Sequence, residues 1–196
     1  PPRPNRARVA RTRARVPLER RADRLRAVMN FAQAIHTALD ESLRAPEVLL
    51  CGQLVRHSHS ALTRGLEHKY PAQVITFPVS ENLMNSAAMG LAMAGKRPVM
   101  MHERFDFCIV GMDALANHIA LWPKACKVRL PLVMMVIVGH GPSQGPQQNK
   151  NFTEWFRSMD GWNIYEPDAP EIAYWQLKHA IFGDSPTLFV IHRNRY

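Results

Sequence analysis

The chain has 196 residues, 46% of them hydrophobic and 21% charged, with 25 Lys and Arg against 16 Asp and Glu for a formal net charge of +9. That length and balance suit one folded domain whose core needs neither disulfides nor metal, and they exclude wholesale disorder, a collagen-like chain and a disulfide scaffold. The charge is concentrated: ten arginines between Pro1 and Arg26 face only Glu19 and Asp23, so this stretch carries +8 and the rest of the chain +1.

Residues 1–16 lack an apolar period and hold three prolines, so they are expected to form a mobile Arg-rich arm ahead of a single domain over 17–196. Three functions compete for such an arm: binding nucleic acid or another acidic partner, serving as an import peptide, or none at all. The three cysteines, Cys51, Cys108 and Cys126, are far apart among apolar neighbours and are expected to be buried thiols of a reducing compartment, the cytoplasm. An Arg-rich, acid-poor leader keeps organellar import open, and no apolar run reaches the roughly 18 residues of a membrane span.

From Pro17 the spacing is helical, with Leu18, Ala22, Leu25, Met29, Ala32, Ile35, Leu39 and Leu43 at three- and four-residue steps up to Ala45-Pro46. Strands are predicted over 48–51, 74–77, 98–102, 132–138, 163–165 and 187–191. Helices are predicted over 60–69, 81–94, 112–124, 151–159 and 170–182. Continuous apolar strands separated by helices imply an α/β fold, an open, mostly parallel sheet with helices on both faces. Ligands of such sheets bind outside the carboxyl ends of the strands, which directs attention to the segments after each one. No dinucleotide fingerprint, P-loop, nucleophile elbow or metal-ligand spacing occurs there, and the glycine-rich run 139–145 opens no clear helix.

One carboxylate stands out. Glu81 begins a helix that has no other charge before Lys96, directly after Ser80, a candidate N-cap. An acid there complements the helix dipole; it equally suits a general acid, and spacing alone does not choose between the two. Ala87, Ala88, Gly90, Ala92, Ala94 and Gly95 make the helix narrow enough for close approach of another backbone.

The run Phe77-Pro78-Val79-Ser80-Glu81-Asn82, with Ala87-Ala88-Met89-Gly90-Leu91-Ala92-Met93-Ala94-Gly95-Lys96-Arg97-Pro98 behind it, resembles the pyrimidine-binding domain of thiamine-diphosphate enzymes. The beta subunits of 2-oxo acid dehydrogenase components are the most similar branch. Phe105-Asp106-Phe107, Met112-Asp113, Gly145-Pro146-Gln147 and Asp184-Ser185-Pro186 continue the likeness in order, so that it extends over about 26–196. The resemblance implies that Glu81 is the glutamate that hydrogen-bonds the aminopyrimidine of thiamine diphosphate and favours its imino form, with Ser80 beside it. A carboxyl shielded from water at a subunit interface would share its proton readily. Phe107 matches the aromatic that stacks on the pyrimidine, and Phe105 is expected in the core.

Three departures from the family pattern bear on function. Gln148 stands where the family usually has a histidine, and Gln cannot shuttle protons near neutral pH; His140, on the same loop, is the candidate substitute. After the first strand, where relatives often have an acid, Gln53, His57 and His59 are expected to line the substrate mouth, which favours an anionic substrate or acceptor. Finally, the carboxyl-terminal docking domain and the metal-ligating Gly-Asp-Gly and Asn pattern of relatives are not in this sequence. The resemblance therefore implies half of an active site, completed by an alpha-type subunit that binds the diphosphate through Mg2+ in an alpha2beta2 heterotetramer. Helices 81–94 and 112–124 are its candidate contacts. The expected reaction is decarboxylation of a 2-oxo acid with carboligation or with acyl or aldehyde transfer. The alternatives are a truncated dehydrogenase beta subunit and a non-catalytic subunit with a nucleic-acid-binding arm.

Overall fold

The computed structural model describes residues 29–56, 60–139 and 148–196. The first helix, α1 (Phe31–Ser42), starts from a reciprocal cap: the Gln33 amide donates to Asn30 Oδ1 at 2.9 Å and the Asn30 amide to Gln33 Oε1 at 2.8 Å. Helix was expected to run unbroken from 17 to 43. Instead Asn30 is extended, and the Asn-x-x-Gln pair starts a new helix at Phe31. The Arg-rich arm and the start at Pro17 lie outside the described residues.

Six strands follow: β1 (Val48–Gly52), β2 (Val74–Thr76), β3 (Arg97–His102), β4 (Val133–Val138), β5 (Asn163–Tyr165) and β6 (Thr187–His192). They form one sheet in the order β2-β1-β3-β4-β6-β5, and every pairing is parallel. Alternate side chains supply two cores. Val48, Leu50, Val99, Met101, Val133, Met135, Phe189 and Ile191 pack under α1 and the late helix α7 (Pro170–Phe182). Leu49, Cys51, Met100, Met134, Val136, Leu188 and Val190 point to the opposite face, under α3 (Glu81–Met93). Burial on both faces is why the strands read as continuous apolar runs. Across the first face, Glu41 of α1 accepts from Tyr174 Oη at 2.6 Å and Lys178 Nζ at 2.7 Å. At the amino end of β3, Arg97 Nη1 donates to the Gly183 carbonyl at 2.6 Å, tying that strand to the end of α7.

Several expected helices are shorter or broken. Only Leu66–Lys69 of 60–69 is helical (α2), because Gly65 enters it at φ 81°, a left-handed turn that favours glycine. The helix expected over 112–124 is two pieces, a π turn (Ala114–Ile119) and α5 (Trp122–Ala125), and ahead of it lie α4 (Phe105–Cys108) and a 3₁₀ turn (Ile109–Gly111). Pro123 has no amide to continue a ladder and takes a first-turn position in α5. Helix α6 is only Thr153–Arg157. Cys51 and Cys108 are buried as expected, whereas Cys126 is exposed: it ends α5, whose residues face outward from the core. No helix among the described residues is long and apolar enough to cross a membrane.

Candidate functional site

Strand β1 lies between β2 and β3, so the chain leaves it toward one side and returns on the other. That reversal opens a crevice over the carboxyl ends of the two neighbours. Gly52 closes β1 and presses on β3, since a Cβ there would stand 2.8 Å from the Met101 carbonyl and 2.9 Å from Val55 Cγ1. The next residue, Gln53, enters the crevice. Its Nε2 donates to Glu81 Oε1 at 2.8 Å, joining the ends of β1 and α3. The second Glu81 oxygen has no partner among the described residues.

Ser80 occupies the N-cap position of α3, but its hydroxyl makes no capping bond, contrary to expectation. With φ −159° and ψ 89°, its amide donates to the Pro78 carbonyl at 2.8 Å, and its own carbonyl takes the Met84 amide at 3.0 Å. The Ser80 side chain is thus not committed to holding the helix end.

One turn beyond Glu81, the buried Asn85 ties α3 to the next segment. Its Nδ2 donates to the carbonyls of Cys108 at 2.9 Å and Gly111 at 3.3 Å, and its Oδ1 lies 2.8 Å from His102 Nε2. His102, the last residue of β3, is 2% exposed. Burial pushes its pKa down to about 4, against the pull of the nearby Glu81 carboxylate, so the ring is neutral at neutral pH. Gly111 fits because it has no side chain: a Cβ would lie 2.5 Å from Asn85 Nδ2 and 3.1 Å from the Glu81 carbonyl.

Beside this cluster lies a cavity of about 580 Å³, lined by Phe107 and Gln148. Arg64, Arg104 and Arg193 also line it, with Glu103 as the acid among them. Arg104 Nη1 donates to the Glu103 carbonyl at 2.7 Å, and the Tyr196 phenol is held above its usual pKa chiefly by burial. The fold therefore brings together Gln53, Glu81 and its neighbour Ser80, and gathers Phe107 and Gln148 in the adjoining cavity. His57, His59 and His140 lie outside the described residues. Phe105 is core, with its ring 5.7 Å from Phe152 and 5.6 Å from Phe156. No group of three or more His, Cys, Asp or Glu among the described residues is arranged to hold a metal.

The profile of the transketolase pyrimidine-binding domain matches residues 27–196. The chain belongs to that family. It is 28% identical over 166 residues to the pyruvate dehydrogenase E1 component subunit beta of Chaetosphaeridium globosum, covering 82% of this chain and 51% of the relative. To the mitochondrial subunit of the same name from Dictyostelium discoideum it is 31% identical over 163 residues, 80% of this chain and 46% of that one. The chain spans about half the length of these relatives. Among solved structures, an inactive beta4 tetramer of a split-gene transketolase superposes with a TM-score of 0.68 at 18% identity, over 85% of this chain and 52% of that one. As a pyrimidine-binding domain, the six-stranded parallel sheet has the fold its sequence predicted.

Sequence reasoning missed Asn85, His102, Arg104, Arg193 and Tyr196. Asn85 carried a readable signal, a polar side chain four residues after Glu81 on an otherwise apolar helix face. The arginines carried none, since they converge only when β3 and β6, one on each side of β4, end on the same side of the parallel sheet.

Proposed function

We propose that this chain is the pyrimidine-binding half of a thiamine-diphosphate-dependent enzyme that acts on a 2-oxo acid, with Glu81 as the acid that engages the cofactor aminopyrimidine. The observation that carries the reading is the Gln53–Glu81 hydrogen bond at the sheet's reversal point, beside the cavity lined by Phe107. The residues present fit a flat, partly polar ring. Phe107 offers an apolar face, and Glu81 has one oxygen anchored by Gln53 and a second without a described partner. Bound there, thiamine diphosphate supplies a nucleophilic carbon and an electron sink for decarboxylating the substrate.

The work of this chain is positional and protonic. Gln53 fixes the carboxylate rotamer, so that Glu81 presents Oε2 to a ring nitrogen and exchanges a proton there. Phe107 excludes water from one face of that ring. Arg64, Arg104 and Arg193 give the cavity a positive field suited to an anionic substrate or acceptor. Gln148 can donate and accept hydrogen bonds at the substrate but cannot relay a proton as a histidine does. The diphosphate and its Mg2+ fall to a separate alpha-type subunit in an alpha2beta2 assembly. Exposed Leu83 and Met93 on α3, with Val79, Val110 and Leu121 nearby in the chain, are suited to subunit contact.

The test is turnover of a panel of 2-oxo acids by the chain co-purified with its partner. Glu81→Gln is expected to lose about 100-fold or more, and undiminished turnover overturns the reading. Similarity to pyruvate dehydrogenase beta subunits supports a second version, acyl transfer to a lipoyl group as part of a longer beta subunit. Product analysis separates them: carboligation yields a hydroxyketone, acyl transfer an acyl-lipoamide.

A further inference from the structure

We infer that His102 and Asn85 are positioning residues that hold Glu81 and Phe107 at a set separation; the inference rests on the cofactor reading of Glu81. The two groups expected to bracket the pyrimidine come from different elements, Glu81 from the start of α3 and Phe107 from α4. One amide joins them. Asn85 lies on the Glu81 face of α3 one turn further on, and both of its donated bonds go to the segment that continues from Phe107.

Those donations settle the orientation of the amide. A flipped Asn85 would set its oxygen against the Cys108 and Gly111 carbonyls, so Oδ1 faces His102. His102 must then donate from Nε2, which places the proton there and leaves Nδ1 as the acceptor nitrogen. The imidazole acts as a fixed N–H donor. The charged group that acts on His102 is the Glu81 carboxylate on α3.

Anchored through His102 to the end of β3, the amide spans from the sheet to α3 and to the turn after Phe107. Gly111 lets these parts approach to contact, because any side chain at that position would strike Asn85. With the clamp opened, α3 and the 105–111 segment keep their apolar contacts but lose the polar constraint on their spacing. Misplacement of catalytic groups by about 1 Å is enough to slow a reaction by about 100-fold.

Two readouts test this. In the full chain without cofactor, His102→Leu is expected to speed amide hydrogen exchange at 84–88 and 107–111 by about 10-fold or more, with β4 and β6 unchanged. In the complex with partner and thiamine diphosphate, the same variant should lower kcat by about 10- to 100-fold and raise the cofactor concentration for half-activity, while KM for the 2-oxo acid stays within about 3-fold. His102→Gln, which keeps an N–H donor, should restore both readouts to within about 3-fold of the parent. Exchange in His102→Leu that matches the parent, or a Gln variant as impaired as Leu, overturns the inference. Should His102→Leu fail to fold, Asn85→Ala is read by the same exchange pattern, with the same outcomes deciding. Undiminished turnover in Glu81→Gln would fail the cofactor reading alone, since the exchange pattern tests the clamp without it.

Discussion

Burying a neutral histidine makes folding stability depend on pH, and His102 allows the size of that dependence to be worked out. Its pKa falls from an ordinary 6.5 to about 4 in the folded chain. Between those values the unfolded chain binds a proton that the folded chain refuses, so stability is fully present above about pH 6.5 and is lost as pH falls toward about 4. The full difference of about 2.5 pH units corresponds to about 3 kcal/mol, a large share of the 5–15 kcal/mol typical of a domain. The assay is urea unfolding of the parent and of His102→Gln from about pH 7 to about pH 4.5. Carboxylates elsewhere titrate alike in both proteins and cancel in the difference. The parent's advantage over the variant should shrink by about 2–3 kcal/mol over that interval, reversing in sign if the advantage at pH 7 is smaller than this. A difference that stays constant to within about 0.5 kcal/mol would refute the assignment of His102 as a buried neutral donor.

Gly111→Ala should destabilise the chain by about 1–3 kcal/mol, because the new methyl meets Asn85 Nδ2 and the Glu81 carbonyl; equilibrium unfolding checks this, and an unchanged midpoint would show that the contact yields freely. Among the three thiols, Cys126 should react with a thiol reagent in the native chain, while Cys51, with its pKa pushed up to about 12 by burial, and the buried Cys108 react only after unfolding. Mass spectrometry of the labelled chain reads the order. Gln53→Ala removes the bond that orients Glu81 and should lower turnover of the assembled enzyme by about 10-fold with little change in folding stability. Turnover equal to the parent would show that Glu81 is oriented by other groups.

The strands and the sheet class were legible because period and apolar content report burial directly. Val133–Val138 is buried at every position, and only a strand with helices on both sides reads that way. The place of Glu81 at the head of α3 was legible because the strand, turn and helix around it are marked locally. Features that depend on local backbone choices were not. The left-handed turn at Gly65 and the reciprocal cap at Asn30 each competed with an apolar period that continued past them, and the local signal won. The helix expected over 112–124 broke into short pieces because Pro123 and the tight contact at Gly111 just before it outweigh a helical spacing that is otherwise intact. The Asn85–His102 pair is a third kind of case: each residue looks ordinary alone, and the bond between them exists only because β3 ends beside α3.

The all-parallel sheet has a kinetic consequence. No two of its strands can be joined by a short turn, so each pairing must close a long loop before it returns any free energy. β4 illustrates this, since Val133 pairs with Thr187 across α6, β5 and α7. Such chains fold slowly for their size and keep apolar strands such as Val133–Val138 uncovered along the way. Yield on refolding should therefore fall steeply with chain concentration, and slow synthesis at low temperature should recover more folded protein than rapid dilution from denaturant.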